Sequence, residues 1–165
     1  MTLVRDFRPA DWPLVEAIYM EGIRTGLATF ETTTKSEETW TTTSVTNSQL
    51  VAEFDDGSVC GWAVLWPVSD RCAYRGVAEV SVYVAAVARG KGIGRLLLKE
   101  LAVRSETLGF WTIQAGIFEE NRASIRLHET CGFRLVGVRE RLGALNGVWK
   151  NVVLMERRSH TLGSE

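Results

Sequence analysis

Cysteine is scarce in this sequence of 165 residues, and its spacing argues against the sites that cysteines usually build. The three cysteines, Cys60, Cys72 and Cys131, are odd in number, and no two of them form a Cys-x-x-Cys pair. A disulfide framework or a structural zinc site requires closely paired cysteines. The sequence therefore predicts neither of these, and we expect no metal site.

An excess of charge and a long apolar run are also missing. The 19 Lys and Arg residues nearly balance the 20 Asp and Glu residues, so the chain lacks the basic excess of a nucleic-acid-binding protein. No window approaches the roughly 20 apolar residues of a membrane helix, and residues 1–6 lack the apolar core of a signal peptide. We expect a cytoplasmic protein with a small-molecule partner and with neither a nucleic-acid partner nor a membrane partner.

Proline is rare as well, with three residues, and no Pro-, Gly- or Ser-rich stretch divides the chain. A chain of this length can build one sizeable core. We expect a single domain over residues 1–158, followed by a polar C-terminal tail over residues 159–165 that frays.

The first half of the chain has the pattern of a strand, two helices and a meander. Residues 2–8 alternate like a strand, and Asp11 with Pro13 marks the start of a helix. The pair Thr34 and Glu37 has the spacing of a capping box and predicts a short helix through Trp40. Strand-like runs that predict an antiparallel meander then occupy residues 49–54, 59–66 and 77–84.

The second half alternates between helices and strands. After Gly92 the apolar period changes from two to about 3.6, which predicts an amphipathic helix that ends at Gly109. Asn121 is placed to cap a second helix. The remaining predicted elements are a strand over 111–117, the capped helix to residue 132, and strands over 134–141 and 148–155 around the hairpin turn at 146–147.

The most informative stretch is the loop Arg89-Gly90-Lys91-Gly92-Ile93-Gly94, which joins a predicted apolar strand to a predicted helix. Glycines let consecutive backbone N–H groups approach phosphate oxygens at the positive end of a helix dipole. Arg89, Lys91 and Arg95 add positive charge. The loop therefore predicts a site for the pyrophosphate of a phosphorylated cofactor.

Other readings of this loop are a plain turn with surface charges, a Rossmann site and a P-loop. A glycine-rich loop by itself is weak evidence. The Rossmann reading conflicts with the Gly-x-Gly-x-Gly spacing and with the meander that precedes the loop. A P-loop requires Lys and then Ser or Thr after the last glycine, whereas Arg95 and Leu96 follow Gly94.

This loop and the segment 121–133, with its Asn-Arg-Ala-Ser start and Gly-Phe end, together resemble the two signatures of the Gcn5-related N-acetyltransferase (GNAT) superfamily. The resemblance covers residues 2–157. Within the superfamily the chain looks like the phosphinothricin and methionine sulfoximine acetyltransferase group. Four segments carry this finer resemblance: Thr29-Phe30-Glu31, Ala73-Tyr74-Arg75, Leu127-His128-Glu129 and Asn146-Gly147-Val148-Trp149.

The resemblance implies an α/β fold with a mixed, mostly antiparallel twisted sheet flanked by helices. The sheet would splay between the strand that ends near Val84 and the strand that starts near Trp111, and acetyl-CoA would lie in the splay. Asn121 and Ser124 could equally serve as a helix cap and its partner. The residues that we expect to bind acetyl-CoA are Val82, Tyr83, Val84, Arg89, Gly90, Lys91, Gly92, Ile93, Gly94, Arg95, Asn121 and Ser124.

Two residues are candidates for catalysis. An alkyl ammonium, with a pKa of about 10.4, must lose a proton before its nitrogen can attack. Glu79 stands where the family has its proposed base, although it could instead pair with Arg75 or face solvent. His128 stands where many members of the superfamily carry a tyrosine that is proposed to protonate the leaving thiolate. It could be an acid, a base or a positioning residue, or simply a structural histidine.

The implied reaction is transfer of acetyl from acetyl-CoA to the α-amine of a small amino-acid-like acceptor, by direct attack in a ternary complex of enzyme, donor and acceptor. The resemblance also implies a homodimer. Arg75, with Tyr74, is the candidate for the acceptor carboxylate, because a guanidinium matches two oxygens; a surface salt bridge is the alternative. Alternative functions are acetylation of a polyamine or a protein N-terminus, and non-catalytic binding of acyl-CoA. Further candidates for the acceptor pocket are Phe30, Ser81, Tyr83 and Trp149.

Overall fold

A seven-stranded mixed sheet organises the chain in the computed structural model, which describes residues 1–163. The strands lie in the order β1-β2-β3-β4-β5-β7-β6, and β4 and β5 are parallel whereas the other neighbours are antiparallel. The strands are β1 (Leu3–Asp6), β2 (Leu50–Glu53), β3 (Val59–Pro67), β4 (Val77–Val84), β5 (Thr112–Phe118), β6 (Arg134–Leu145) and β7 (Val148–Arg158). The helices are α1 (Trp12–Arg24), α2 (Glu37–Thr43), α3 (Ile93–Thr107) and α4 (Arg122–Thr130).

The helices cover both faces of the sheet. Consecutive residues of a strand point to opposite faces, and Gly61 and Trp62 of β3 show which helix lies on each. The Trp62 ring contacts Tyr19 of α1 at a centroid distance of 5.5 Å and Trp40 of α2 at 5.4 Å. A side chain at Gly61 would instead meet Leu97 of α3. Helices α1 and α2 therefore lie on one face, and α3 lies on the other.

The core follows from the central position of β3. Its first seven residues are all buried, as expected for a strand covered on both faces. Trp40, Trp62 and Leu65 are among the largest side chains with almost no exposed surface. This two-sided packing holds β4, the neighbour of β3, in a fixed register against it.

The predicted meander and the predicted hairpin turns are present. Strands β2, β3 and β4 pair antiparallel in succession, and Gly57 has a positive φ of 81° in the turn between β2 and β3. Asn146 and Gly147 have φ values of 50° and 80°, as a two-residue turn with positive φ at both positions requires. The strands around that turn extend further than predicted, to Leu145 and Arg158.

The two predicted caps in the first half behave differently from the expectation. Ser36, and not Thr34, caps α2, since its Oγ accepts a hydrogen bond from the Thr39 N–H at 3.1 Å. The Thr34 hydroxyl donates instead to Glu16 on α1, at 3.0 Å. Asp11 precedes α1, but its carboxylate accepts from the Arg8 N–H and does not cap α1. The contact between Thr34 and Glu16 thus draws Thr34 away from α2 and leaves its cap to Ser36.

Strands β4 and β5 separate part-way along β4, as predicted. Their register runs from Val77–Thr112 to Glu79–Gln114 and then stops, while β4 continues along β3 as far as Val84. Strand β5 meanwhile stays paired with β7 up to Phe118. Residues 80–84 therefore have no partner on β5 in the described part of the chain.

The predicted tail is hydrogen-bonded to the fold over its described part, and this differs from the expected fraying. Ser159 is buried, and its hydroxyl accepts from the backbone N–H groups of Thr161 and Leu162. The Arg158 guanidinium donates to the carbonyl oxygens of Leu162 and Gly163. The last two residues of the predicted tail lie outside the described residues. Within residues 1–163, no helix is both long enough and apolar enough to cross a membrane.

Candidate active site

A groove of about 460 Å³ runs along the separated part of β4 to the start of α3. Its walls are the end of α1 and the segment after it, the unpaired half of β4, the glycine loop and the first turns of α3 and α4. Eleven of the twelve residues predicted to bind acetyl-CoA line this groove. They are Val82, Tyr83, Val84, Arg89, Gly90, Gly92, Ile93, Gly94, Arg95, Asn121 and Ser124.

The glycines of the loop serve two different purposes. Gly90 and Gly92 have φ values of 75° and 79°, and Gly92 caps α3, so their backbone conformation requires glycine. A Cβ at either position would meet no heavy atom within 4 Å. Gly94 lies inside α3, where a Cβ would come within 3.1 Å of Leu127 on α4. The first two glycines thus shape the loop, and the third allows α4 to approach α3.

The cationic side chains of the loop are not equivalent. Arg89 and Arg95 line the groove beside the N-terminus of α3. Lys91 does not line it, and its ammonium lies instead 5.6 Å from the centroid of the Phe54 ring. The positive end of the groove therefore consists of the helix N-terminus and two guanidinium groups, an arrangement suited to an anion.

Asn121 caps α4 and also ties it to the chain after α1. Its Oδ1 accepts from the Ser124 N–H at 3.2 Å, and its Nδ2 donates to the Leu27 carbonyl at 3.1 Å. The helix-cap alternative for this pair is thus present in the structure. Because both residues also line the groove, a contact with a ligand stays a prediction.

Glu79 forms the last pair between β4 and β5, at the point where the two strands separate. Burial raises the pKa of its carboxyl above the usual range, against an opposing hydrogen bond from the Gly116 N–H and the positive charge of Arg139. A carboxylate that prefers its protonated form more than usual is a better proton acceptor near neutral pH. The catalytic role of Glu79 stays a prediction with favourable chemistry.

His128 lies on α4 with its side chain 5% exposed, and it lines neither this groove nor the cavity described next. Its Nδ1 is 2.7 Å from the Ser124 carbonyl oxygen, so the neutral ring carries its proton on Nδ1. Its ring also meets the edge of Phe133 at 5.0 Å. Burial lowers the pKa of His128, which keeps it neutral. Its catalytic role stays a prediction, and these surroundings favour a packing role.

A second cavity of about 210 Å³ lies on the α1 side of β4. Ser81 and Tyr83, both predicted to bind the acceptor, line it, and Tyr83 lines the larger groove as well. Phe30, another predicted acceptor residue, is adjacent in sequence to two lining residues, and its ring packs against Phe118 at 4.7 Å. The complete lining is Tyr19, Thr29, Glu31, Lys35, Trp62, Trp66, Ser81 and Tyr83.

Tyr74, Arg75 and Trp149 do not line either cavity in the described chain. Arg75 lies before the amino end of β4, where its guanidinium is 5.4 Å from the Trp111 ring centroid and donates to the Cys72 carbonyl. Strands rise about 3.3 Å per residue, so the six residues from Arg75 to Ser81 span up to roughly 20 Å. Trp149 is 62% exposed on β7. Their predicted acceptor roles stay predictions.

The sequence analysis did not single out Lys35 or Trp66 of the second cavity. Lys35 follows a run of three threonines, where no local pattern marks a binding residue. Trp66 lies in an apolar strand and is indistinguishable there from a core residue. A signal was present only in the register, because Trp66 pairs directly with Glu79.

Comparison with known proteins fits this geometry. The model of the acetyltransferase (GNAT) family matches residues 12–133, which is more than half of the chain. The chain belongs to the GNAT family. This GNAT chain is 38% identical over 160 residues to a phosphinothricin N-acetyltransferase from Alcaligenes faecalis, covering 93% of this chain and 81% of that protein.

Two further similar proteins are also acetyltransferases by name. An L-methionine sulfoximine/L-methionine sulfone acetyltransferase from Pseudomonas aeruginosa is 32% identical to this GNAT chain, with 93% of this chain and 92% of that protein covered. A crystal structure of a GNAT superfamily phosphinothricin acetyltransferase from Sinorhizobium meliloti, in complex with acetyl-CoA, superposes with a TM-score of 0.88 at 34% identity. The superposition covers 99% of this chain and 91% of the Sinorhizobium meliloti chain. The predicted GNAT fold is confirmed.

Proposed function

We propose that the protein transfers the acetyl group of acetyl-CoA to the α-amine of a small amino-acid-like acceptor. The observation that carries this proposal is the groove along the open half of β4, which ends at the N-terminus of α3 beside Arg89 and Arg95. Similarity to acetyltransferases for phosphinothricin and for methionine sulfoximine and sulfone supports the acceptor class.

The donor is held by backbone groups over most of its length. Residues Val82–Val84 have no partner on β5, so the pantetheine arm can pair with them in the manner of an added strand. The pyrophosphate lies on the N–H groups at the start of α3, where the helix dipole and the two guanidinium groups balance its charge.

Glu79 removes a proton from the acceptor ammonium, directly or through a water molecule. The freed nitrogen attacks the thioester carbonyl carbon, a C–N bond forms, and the C–S bond breaks as the nitrogen releases its second proton to solvent. The CoA thiolate leaves and takes a proton from solvent. The raised pKa of Glu79 supports this assignment, since burial makes its carboxylate more basic than an exposed one.

The second cavity limits the size of the acceptor. Its volume of about 210 Å³ is below the roughly 300–1,000 Å³ of pockets for drug-sized ligands. A single amino acid suits such a space better than a peptide does. Its ionisable lining contains Lys35 as well as Glu31, and a cation there disfavours a polyamine.

A thiol-release assay with acetyl-CoA tests the proposal. The acceptors are methionine sulfoximine, methionine sulfone, phosphinothricin, spermidine and a short peptide with a free N-terminus. We expect saturable thiol release with one or more of the three amino-acid acceptors. Release with spermidine or the peptide alone would replace the acceptor class, and no release with any acceptor, while acetyl-CoA still binds, would favour a non-catalytic binding module.

We also infer that two copies associate through the β6–β7 hairpin. This edge of the sheet carries six exposed apolar side chains, and such patches commonly mark interaction surfaces. They are Leu135, Val136, Val138, Leu142, Val148 and Trp149. Light scattering coupled to size-exclusion chromatography should give twice the 18.4 kDa mass of one chain. A mass of one chain at micromolar concentration would contradict this inference.

A further inference from the structure

On the basis of the proposed function, we infer that Lys35 binds the carboxylate of the acceptor and so selects amino acids over other amines. Lys35 lines the second cavity with Trp66 and Ser81, on the same face of the sheet as Glu79. Four observations support this assignment: the anchoring of the loop, the register of β3 and β4, the hydrogen bonding of the ammonium, and the position of the other cations.

The loop that carries Lys35 is anchored on both sides of this residue. Thr34 donates a hydrogen bond to Glu16 on α1 at 3.0 Å. Ser36 caps α2 by accepting from the Thr39 N–H. With both neighbours fixed, the backbone at Lys35 holds its position, and the side chain extends from a defined point towards the cavity.

Strand register places the cavity next to Glu79. Trp66 of β3 lies directly opposite Glu79 of β4, so their side chains leave the same face of the sheet about 5 Å apart. Ser81 lies two residues further along β4 on that face. The Trp66 indole N–H donates to the Ser81 hydroxyl at 2.9 Å, and this hydrogen bond fixes the indole ring beside Ser81.

The Lys35 ammonium lies over the Trp66 ring, 5.5 Å from its centroid. Its contact with Glu31 is long, at 3.4 Å, and the Glu31 carboxylate is half exposed. Such a pair is weak, whereas a carboxylate that displaces water from a partly enclosed cavity can make a shorter charge-assisted bond. The Lys35 side chain is 29% exposed, so a ligand can reach it from the cavity.

The other cationic side chains near Glu79 are placed less well. Arg75 lies beyond the amino end of β4, against Trp111. The charge of Arg139 acts on Glu79, but Arg139 is exposed on β6 and does not line the cavity. Among the described residues that line the cavity, Lys35 is the one with a cationic side chain.

The test compares KM and kcat for methionine sulfone in the wild type and in Lys35→Met, which keeps an apolar stem above Trp66. We expect a KM increase of about 10- to 100-fold, the range typical of a lost hydrogen bond between charged groups. We expect kcat to change less than about threefold, because Lys35 makes the same contact in the ground state and the transition state. Lys35→Arg should recover most of the lost affinity.

A second substrate isolates the carboxylate. Wild-type enzyme should prefer methionine sulfone over its carboxamide. Lys35→Met should lose that preference, because it lacks the ammonium that distinguishes a carboxylate from a carboxamide. Lys99→Met, on the exposed face of α3, serves as the matched control and should behave as wild type. Acetyl-CoA affinity and the thermal unfolding midpoint should be unchanged in all variants.

The outcomes separate this assignment from the proposed function. Acetylation of methionine sulfone with an unchanged KM in Lys35→Met, or with the loss found in Arg75→Met or Arg139→Met instead, would overturn the Lys35 assignment and leave the function intact. A wild type that acetylates no amino acid would overturn the function itself, and the assignment with it.

Discussion

Replacing Gly92 by alanine should separate the stability of the glycine loop from its function, because the chain contains a matched control. Gly92 and Gly57 have nearly the same φ, 79° and 81°, and a Cβ at either position would meet no heavy atom within 4 Å. Neither substitution therefore creates a clash. Each adds the left-handed backbone penalty, about 1–2 kcal/mol for a residue with a Cβ.

The two variants should lose similar stability. For a domain of this size each kcal/mol shifts the unfolding midpoint by roughly 2–4 °C, so we expect both midpoints to fall by about 2–8 °C. Differential scanning fluorimetry without ligand measures this shift. Only Gly92→Ala should also weaken acetyl-CoA binding, because Gly57 lies in the β2–β3 turn and does not line the groove.

The size of the binding loss follows from hydrogen bonds to phosphate. If alanine at residue 92 relaxes towards negative φ, the adjacent peptide groups rotate and one or two N–H groups no longer face the pyrophosphate. A hydrogen bond to a charged group is worth roughly 1.5–3 kcal/mol, which corresponds to about 10- to 100-fold in the Kd of acetyl-CoA. Isothermal titration calorimetry with wild type, Gly92→Ala and Gly57→Ala measures this ratio.

A truncated donor sharpens this test. S-acetylpantetheine lacks the pyrophosphate and cannot use the start of α3, so its KM should be the same in wild type and in Gly92→Ala. An equal loss of acetyl-CoA affinity in both alanine variants would refute the reasoning. So would a Gly92→Ala defect of the same size with S-acetylpantetheine, since the loop would then act on another part of the donor.

Three other substitutions test separate parts of the structure. Glu79→Gln should reduce kcat/KM about 10²- to 10⁴-fold, as for a lost general base, and should remove the acidic limb of the pH profile. It should also stabilise the fold at pH 7. Burial raises the pKa of Glu79, so the contribution of this carboxyl to the stability of the fold is lost as the pH rises through that pKa. His128→Ala should lower the free energy of unfolding by about 1–3 kcal/mol and leave kcat within threefold. Gly76→Ala should lower the free energy of unfolding in urea by about 1–3 kcal/mol, because the alanine Cβ would lie 2.1 Å from the Trp111 ring.

Two of these substitutions have a matched control. Glu100→Gln, on the exposed side of α3, should change neither activity nor stability. Gly137→Ala, where a Cβ meets nothing within 4 Å, should be neutral compared with Gly76→Ala. A hundredfold fall in kcat in His128→Ala, with little loss of stability, would restore the catalytic role that the sequence suggested. Wild-type kcat/KM in Glu79→Gln would remove Glu79 from the mechanism.

The pH dependence of stability provides a further check on His128. Burial lowers its pKa below the ordinary value near 6.5, so the unfolded chain binds more protons than the folded chain at mildly acidic pH. This contribution to stability is present above pH 6.5 and is lost as the pH falls towards the lowered pKa. The loss of unfolding free energy between pH 7 and pH 5.5 should therefore be shallower in His128→Ala. An unchanged slope would contradict the buried, neutral assignment.

Much of the fold could be predicted because its signals are local. The Asn146-Gly147 turn, the cap at Asn121 and the start of α3 after Gly92 depend on residues within a few positions of one another. The same holds for the loop that forms the positive end of the groove. Of its residues only Lys91 points elsewhere, because the Phe54 ring lies within its reach.

The acceptor side could not be predicted in this way, because contacts between distant segments decide it. The spacing of Thr34 and Glu37 predicted Thr34 as the cap of α2, but Thr34 contacts Glu16 of α1 and Ser36 caps the helix instead. By itself the sequence determined the family and the shape of the glycine loop at the positive end of the groove, where backbone conformation depends on adjacent residues. Only the tertiary structure brought Lys35 above Trp66 and paired Trp66 with Glu79, since such contacts join residues that no local pattern connects.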